Sequence, residues 1–309
     1  MLLLAVCAQG GRAESPDLAF DGDGEFRILQ ITDLHFNPDK EAAAVFACLD
    51  TIVPKARPDL LVLTGDNIYA APSERSLRIL MSKVDSFGIP FCVLWGNHDD
   101  QFDLSKARMY DIVRSFPNCV MPARAEGVES PDYELPIKGS GGSVAALLYC
   151  IDSNTHIFDE NGSFVAYDFI HDDQVEAYRA KSKAYTAANG GVPYPALAFF
   201  HIPLPEYDYA VQQGLPLEGI CAEGVCAPKY NSGMFAAFRE CGDVFATFAG
   251  HDHDNDFSVL YDGILLAYGR FSGSNTEYNN LPNGGRVIVL KENSRELETY
   301  IIQAGTNGK

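Results

Sequence analysis

Five short apolar runs in this chain each end abruptly in a cluster of polar residues, and that repetition constrains the fold more than any other feature. Residues 26 to 31 run into Thr32-Asp33-Leu34-His35, residues 60 to 63 into Thr64-Gly65-Asp66-Asn67, and residues 91 to 95 into Gly96-Asn97-His98-Asp99. Residues 197 to 200 end at His201, and residues 244 to 248 lead to Gly250-His251-Asp252-His253. Apolar runs this short, bounded by glycine and turn residues, predict buried strands. Between the first three lie helical patterns. Residues 41 to 54 are rich in alanine, and Pro54 is expected to end that helix. Residues 73 to 87 place Leu77, Leu80, Met81 and Val84 at helical spacing, with Gly88 as a C-cap. Alternating strands and helices imply parallel pairing with right-handed crossovers. In such sheets ligands bind beyond the strand C-terminal ends, so all five clusters are expected on one rim.

The remainder of the chain reads differently. Residues 257–261, 264–268, 286–290 and 297–302 predict further strands, Asp262-Gly263 predicts a hairpin turn, and these antiparallel pieces are expected to complete a second sheet. No linker divides the chain, so residues 21–309 are read as a single catalytic domain preceded by a leader over 1–20. The apolar start, Met1 to Ala8, followed by small and polar residues to Ser15, resembles the end of a signal peptide. Export is therefore expected, whether periplasmic, secreted or lipid-anchored. No run of about 18 apolar residues appears, so no transmembrane helix is expected.

Charge and cysteines narrow the partners. With 42 acidic against 23 basic residues the net charge is −19, which repels polyanions over long range, and no nucleic-acid partner is expected. Cys48, Cys92 and Cys150 lie in apolar segments and read as buried thiols. Cys221 and Cys226 flank a short loop and would close a disulfide in an oxidising compartment.

The clusters hold five of the seven histidines in the chain. Imidazole and carboxylate together suit borderline divalent metals such as manganese, zinc and iron. His156 and His171 fall outside the clusters and read as surface or structural residues, and Asp152-Ser153-Asn154 as a strand-end turn. The five blocks resemble those of the calcineurin-like metallophosphoesterases: Asp33-Leu34-His35, Gly65-Asp66, Gly96-Asn97-His98-Asp99, the lone His201, and Gly250-His251-Asp252-His253. His201-Ile202-Pro203-Leu204-Pro205-Glu206-Tyr207, Asn231-Ser232-Gly233 and the stretch from Gly250 to Phe257 resemble the purple-acid-phosphatase-like branch.

The resemblance implies an α/β fold, a β-sandwich of two mixed sheets flanked by helices, and a dinuclear metal centre that hydrolyses small phosphate esters. One metal would take Asp33, His35, Asp66 and His253. The other would take Asp66, Asn97, His201 and His251, with Asp66 between them. A water activated between the metals would be the in-line nucleophile. His98 would face the substrate as phosphate-binding or general-acid residue, with Asp99 orienting its ring. True purple acid phosphatases carry Gly-Asp-x-x-Tyr with a metal-binding tyrosine. Gly65-Asp66-Asn67-Ile68-Tyr69 fits that pattern, but His35 claims the same position, so His35 is expected as ligand and Tyr69 as a packing residue. The alternative reading is a non-catalytic phospho-ligand or protein-binding module on the same fold. A nuclease is disfavoured by the absence of a basic groove. Oligomeric state, and monoester versus diester, have no signature in the sequence.

Overall fold

The computed structural model describes residues 16–40, 42–273 and 278–305. Residues 1–15, which carry most of the expected leader, lie outside the described residues. Two mixed sheets pack face to face. The first has the order β13-β12-β1-β2-β3 and the second β10-β11-β9-β8-β5-β4, with a separate two-stranded ribbon, β6-β7. In chain order the strands are β1 (Glu25–Ile31), β2 (Leu60–Thr64), β3 (Phe91–Leu94), β4 (Tyr133–Lys138), β5 (Val144–Cys150), β6 (His156–Phe158), β7 (Phe164–Tyr167), β8 (Ala196–Phe199), β9 (Val244–Ala249), β10 (Ser258–Tyr261), β11 (Ile264–Tyr268), β12 (Gly284–Lys291) and β13 (Leu297–Gln303). The helices are α1 (Ala42–Ala56), α2 (Ser73–Asp85), α3 (Lys106–Arg114), α4 (Asp172–Ala188), α5 (Pro205–Gln212) and α6 (Met234–Cys241).

Strand alternation explains the layering, because successive side chains point to opposite faces. Leu148, Cys150, Leu197, Phe199 and Phe248 of the second sheet pack inward with the first sheet. Leu147, Tyr149, Ala198 and Phe200 turn outward into a second core with residues of α4, α5 and α6. In the first sheet β1, β2 and β3 are parallel, and every residue of β2 is buried, as expected of a strand covered on both faces. Helix α1 buries Val45, Cys48, Leu49, Ile52 and Val53.

Two expectations need correction. Pro54 does not end α1, which runs on to Ala56. Pro54 is exposed, so the carbonyl deprived of its helical partner faces water. The C-terminal strands also do not share one sheet. β10 and β11 extend the second sheet, with β11 parallel to β9. β12 instead pairs antiparallel with the free edge of β1, and β13 follows it. The burial of β12 accounts for the choice: seven of its eight residues are buried, a pattern for an interior strand between two neighbours.

Candidate metal centre

The parallel strands deliver their C-terminal ends side by side. Ile31 lies opposite Leu63, and Leu63 opposite Val93; in the other sheet Phe199 lies opposite Phe248. The turns that follow hold one another by backbone bonds. Asp33 N donates to the Gly65 carbonyl at 3.1 Å, His35 N to that of Asp66 at 2.8 Å, and Gly250 N to that of His201 at 3.0 Å. Asp33, His35, Asp66 and His251 all adopt left-handed backbone, with φ of 54°, 42°, 50° and 79°. Such conformations cost about 1–3 kcal/mol each and persist where the surroundings over-determine them.

The glycines of the blocks serve two purposes. Gly65, at φ 99°, makes the turn expected of it. Gly96 and Gly250 are required by close approach instead. A Cβ on Gly96 would sit 2.2 Å from Asp66 Oδ1, and one on Gly250 would sit 2.1 Å from Thr32 Oγ1.

Seven of the sequence-derived residues meet in one buried cluster. His35 Nε2 lies 3.2 Å from His253 Nε2 and 3.5 Å from Asp66 Oδ2. His201 Nε2 lies 3.1 Å from Asn97 Oδ1 and 3.3 Å from Asp66 Oδ2. Asp33 Oδ1 is 3.6 Å from His253 Nε2 and 4.0 Å from His201 Nε2. His251 stands beside His201, with ring centroids 5.2 Å apart. Two sets of ligand atoms emerge, Asp33-His35-His253 and Asp33-Asp66-His201, each within 4.8 Å. Asp33 is common to both sets, and Asp66 Oδ2 also reaches histidines of both.

The hydrogen-bond chemistry fits cations. His253 Nδ1 donates to the Tyr278 carbonyl at 2.8 Å, and His201 Nδ1 donates to the Thr64 carbonyl at 2.8 Å. Each bond fixes the tautomer and leaves Nε2 as a bare lone pair. Those lone pairs then face carboxylate oxygens, an amide oxygen and another imidazole, so acceptors face acceptors. Two further buried nitrogens, His35 Nδ1 and His251 Nε2, have no hydrogen-bond partner. In the protein alone the cluster answers this with protons. Burial opposes charge on His201, but Asp66 and Asp33 prevail and hold its pKa up at about 9. Burial, and then the neighbouring histidines, press His251 well below its ordinary value, and burial presses His35 down to about 3 despite Asp66. Burial also opposes ionisation of Asp66, but His201 and His35 outweigh it and hold that carboxyl well below the usual range. Neutral His35 and His251 and an ionised Asp66 are in the protonation states that metal ligands require, whereas burial raises the Asp33 carboxyl and His201 is held protonated, so a cation binding there releases protons.

The remaining residues depart in part from expectation. His98 stands at the edge of the cluster, its side chain 18% exposed and its Nε2 4.0 Å from Asp66 Oδ2. Asp99 does not orient the His98 ring: His98 Nδ1 has no partner. Asp99 accepts instead from the backbone N of Asn67 at 2.8 Å, Ile68 at 3.0 Å and Gly96 at 2.8 Å, and from Asn67 Nδ2 at 3.1 Å. It ties the turn after β2 to the turn after β3. Tyr69 packs edge-on against the rings of His35 and His98, at 5.7 and 5.1 Å, in the packing place expected of it. His156, read as a surface or structural residue, takes a structural place at the cluster: its Nε2 lies 3.3 Å from Asn97 Nδ2, accepting from that amide and turning Asn97 Oδ1 toward His201. His171 caps α4 and pairs with Asp168 at 2.9 Å, away from the cluster. Ser153, in the turn after β5, accepts from Ile202 N at 2.9 Å. Arg270 and Arg286, which carry no sequence signal, hold Asp256 beneath the His251–His253 turn.

A family model described as calcineurin-like phosphoesterase matches residues 26–255. The chain belongs to the calcineurin-like phosphoesterase family. It is 29% identical to "Probable inactive purple acid phosphatase 14" of Arabidopsis thaliana, over 83% of this chain and 72% of that protein. It is also 29% identical to "Phosphatase DCR2" of Saccharomyces cerevisiae, over 90% of this chain and 54% of that one. Two solved structures share the fold at low identity. A dimetal phosphatase from Danio rerio superposes with a TM-score of 0.59 at 14% identity, over 91% of this chain and 99% of that one. The purple acid phosphatase PPD1 of yellow lupin does so with 0.54 at 11%, over 91% and 52%.

In this family member the loop that borders the centre is held without the expected disulfide. Cys221 and Cys226 are free thiols, bonded to the carbonyls of Glu223 and Gly224. Backbone bonds secure the loop to the histidine turn: Ala222 N donates to the Asp254 carbonyl at 3.1 Å, and Cys226 N to Asp252 Oδ2 at 3.2 Å. The loop therefore supplies no argument for an oxidising compartment. Cys48, Cys92 and Cys150 are buried thiols, as expected. Among the described residues no helix is long and apolar enough to cross a membrane.

Proposed function

We propose that this chain is a dinuclear metal-dependent hydrolase of small phosphate esters. The observation that carries the reading is the convergence of the Nε2 atoms of His35, His201 and His253 on Asp33, Asp66 and Asn97 oxygens in a buried cluster, where only a proton or a cation separates facing lone pairs. Asp33, His35, Asp66 and His253 would hold one cation, and Asp66, Asn97, His201 and His251 the other. Such a pair, when bound, supplies Lewis acidity and lowers the pKa of a coordinated water toward neutrality. Two divalent ions against two carboxylates leave the centre locally positive, which draws a phosphate despite the net charge of −19. Asn97 contributes an oxygen without adding negative charge. His98, partly exposed at the edge of the cluster, binds a phosphoryl oxygen or gives a proton to the departing alkoxide.

The name "probable inactive" on a plant relative favours a second reading, a binding module that retains the fold. Every ligand position of the resemblance is filled in this chain, which supports the hydrolase. The two readings separate on metal-loaded protein assayed against a panel of phosphate mono- and diesters. Turnover that falls on chelation, and again in His98→Ala, is the expected outcome. Ester binding without turnover of any panel member selects the binding module.

A further inference from the structure

The ribbon β6-β7 presents four rings on one face. Its register sets His156 opposite Tyr167 and Phe158 opposite Phe164, while Ile157 and Ala166 form the pair on the other face. The rings of the first face touch one another: His156 lies 5.7 Å from Phe158, 5.6 Å from Phe164 and 5.7 Å from Tyr167, and Phe164 lies 5.3 Å from Tyr167. The inner pair abuts the metal centre. Tyr167 meets His251 edge-on at 4.4 Å, and His156 lies 6.0 Å from His98. The outer pair faces solvent, with Phe158 57% and Phe164 54% exposed.

This face is held in place. Around the turn, Asp159 Oδ1 accepts from Asn161 N at 2.9 Å and Ser163 N at 2.8 Å, and Lys229 Nζ donates to the Val165 carbonyl at 3.0 Å. On the other flank of His98, Tyr69 leads at 5.7 Å to Phe102, which is 44% exposed. Two-stranded ribbons are marginal in water, and neighbouring exposed phenylalanines on one mark a binding surface.

We propose that the Phe158 and Phe164 rings form a clamp for a planar aromatic group on the substrate, so that the phosphate esters this site takes carry an aromatic leaving group. This rests on the phosphoesterase reading. Position supports the aromatic occupant: the outer pair continues a face of rings that begins at His156, 6.0 Å from His98, and reaches Phe158 and Phe164 through contacts of 5.7 and 5.6 Å. The chemistry supports it as well. Ring faces and edges pair with a flat π-system more favourably than with a saturated ring of equal area.

Binding of non-hydrolysable phosphonates to the metal-loaded full chain tests this without relying on turnover. Benzylphosphonate should bind about fivefold more tightly than cyclohexylmethylphosphonate, the scale of one aromatic pair. The Phe158→Leu/Phe164→Leu double variant should lose that preference while methylphosphonate, which has no ring, binds as before. The Phe158→Tyr/Phe164→Tyr pair should keep it. Equal affinity for the two ring compounds, or a preference that survives in the leucine variant, overturns the clamp while leaving the hydrolase reading intact. A change of oligomeric state in the leucine variant with unaltered ring preference also overturns it, and assigns the face to self-association. If methylphosphonate itself fails to bind the metal-loaded protein, the phosphoesterase reading fails and the clamp with it.

Discussion

Strand β9 carries a buried acidic cluster at each end, and the two are built on opposite terms. Asp243, just before its first residue, is 1% exposed and takes hydroxyl donors from Tyr149 at 2.9 Å, Ser182 at 2.6 Å and Tyr178. Its oxygens are met by donors, and nothing more is needed to keep a carboxylate there. At the other end, beyond Ala249, Asp33 and Asp66 are as deeply buried; Asp33 accepts from Thr32 Oγ1 at 2.7 Å and His251 N at 3.1 Å and Asp66 Oδ1 from His98 N at 2.8 Å, but Asp66 Oδ2 and Asp33 Oδ1 also face the Nε2 atoms of His35, His201 and His253. Burial of an acid is thus no mark of a site. What marks one is the ring of imidazole nitrogens that faces its oxygens, because such a set of acceptors in a closed space is stable only around added positive charge, a proton or a cation.

That contrast breaks or holds under substitution. Asp66→Asn should weaken divalent-metal binding by more than the roughly 10–100-fold that loss of an outer partner costs, read by metal titration of the purified protein. An unchanged affinity would remove Asp66 from the centre. His98→Ala should bind both metals as before and lower kcat by about 10²-fold or more; a wild-type rate across aryl and alkyl esters ends its assigned role. At the other end of the strand, Asp243→Asn exchanges a charged acceptor for a neutral amide beneath three hydroxyls. It should cost about 2 kcal/mol of stability by urea denaturation and leave metal affinity alone. Metal loss in that variant would mean that the two ends are not independent. The smallest effect is expected at His156. His156→Ala frees the Asn97 amide to rotate and should weaken metal binding by about tenfold, whereas His156→Gln, which offers another acceptor, should restore most of it.

The sequence made the first comparison easy to anticipate on one side only. Asp33, His35, Asp66, Asn97, His201, His251 and His253 were legible because their five blocks recur in order, each after an apolar run, in the pattern of the family they resemble. Asp99 was misread because its partners are backbone amides of the turn after β2, which no residue type announces. His156 was missed for a related reason. It reaches Asn97 from a short ribbon with no block of its own, and its role depends on where that ribbon folds back. The order of the strands was legible for β1, β2 and β3, where helices force parallel crossovers. It failed for β12, whose apolar pattern fits the middle of either sheet. Only the open edge of β1 decided between them.

That open edge has a consequence for how the molecule is made. β1 finds its neighbour β2 within some thirty residues of chain, but its other side stays bare until β12 has been synthesised, tens of seconds later at about 5–20 residues per second. Throughout that interval an apolar strand at the centre of the finished sheet is an unguarded template for pairing with other nascent chains. A product cut after residue 255, where the family match stops, would contain every proposed ligand and still leave that edge permanently exposed. Such a fragment should precipitate rather than bind metal, and extending it through β11 should not rescue it, because only β12 and β13 cap the edge of β1.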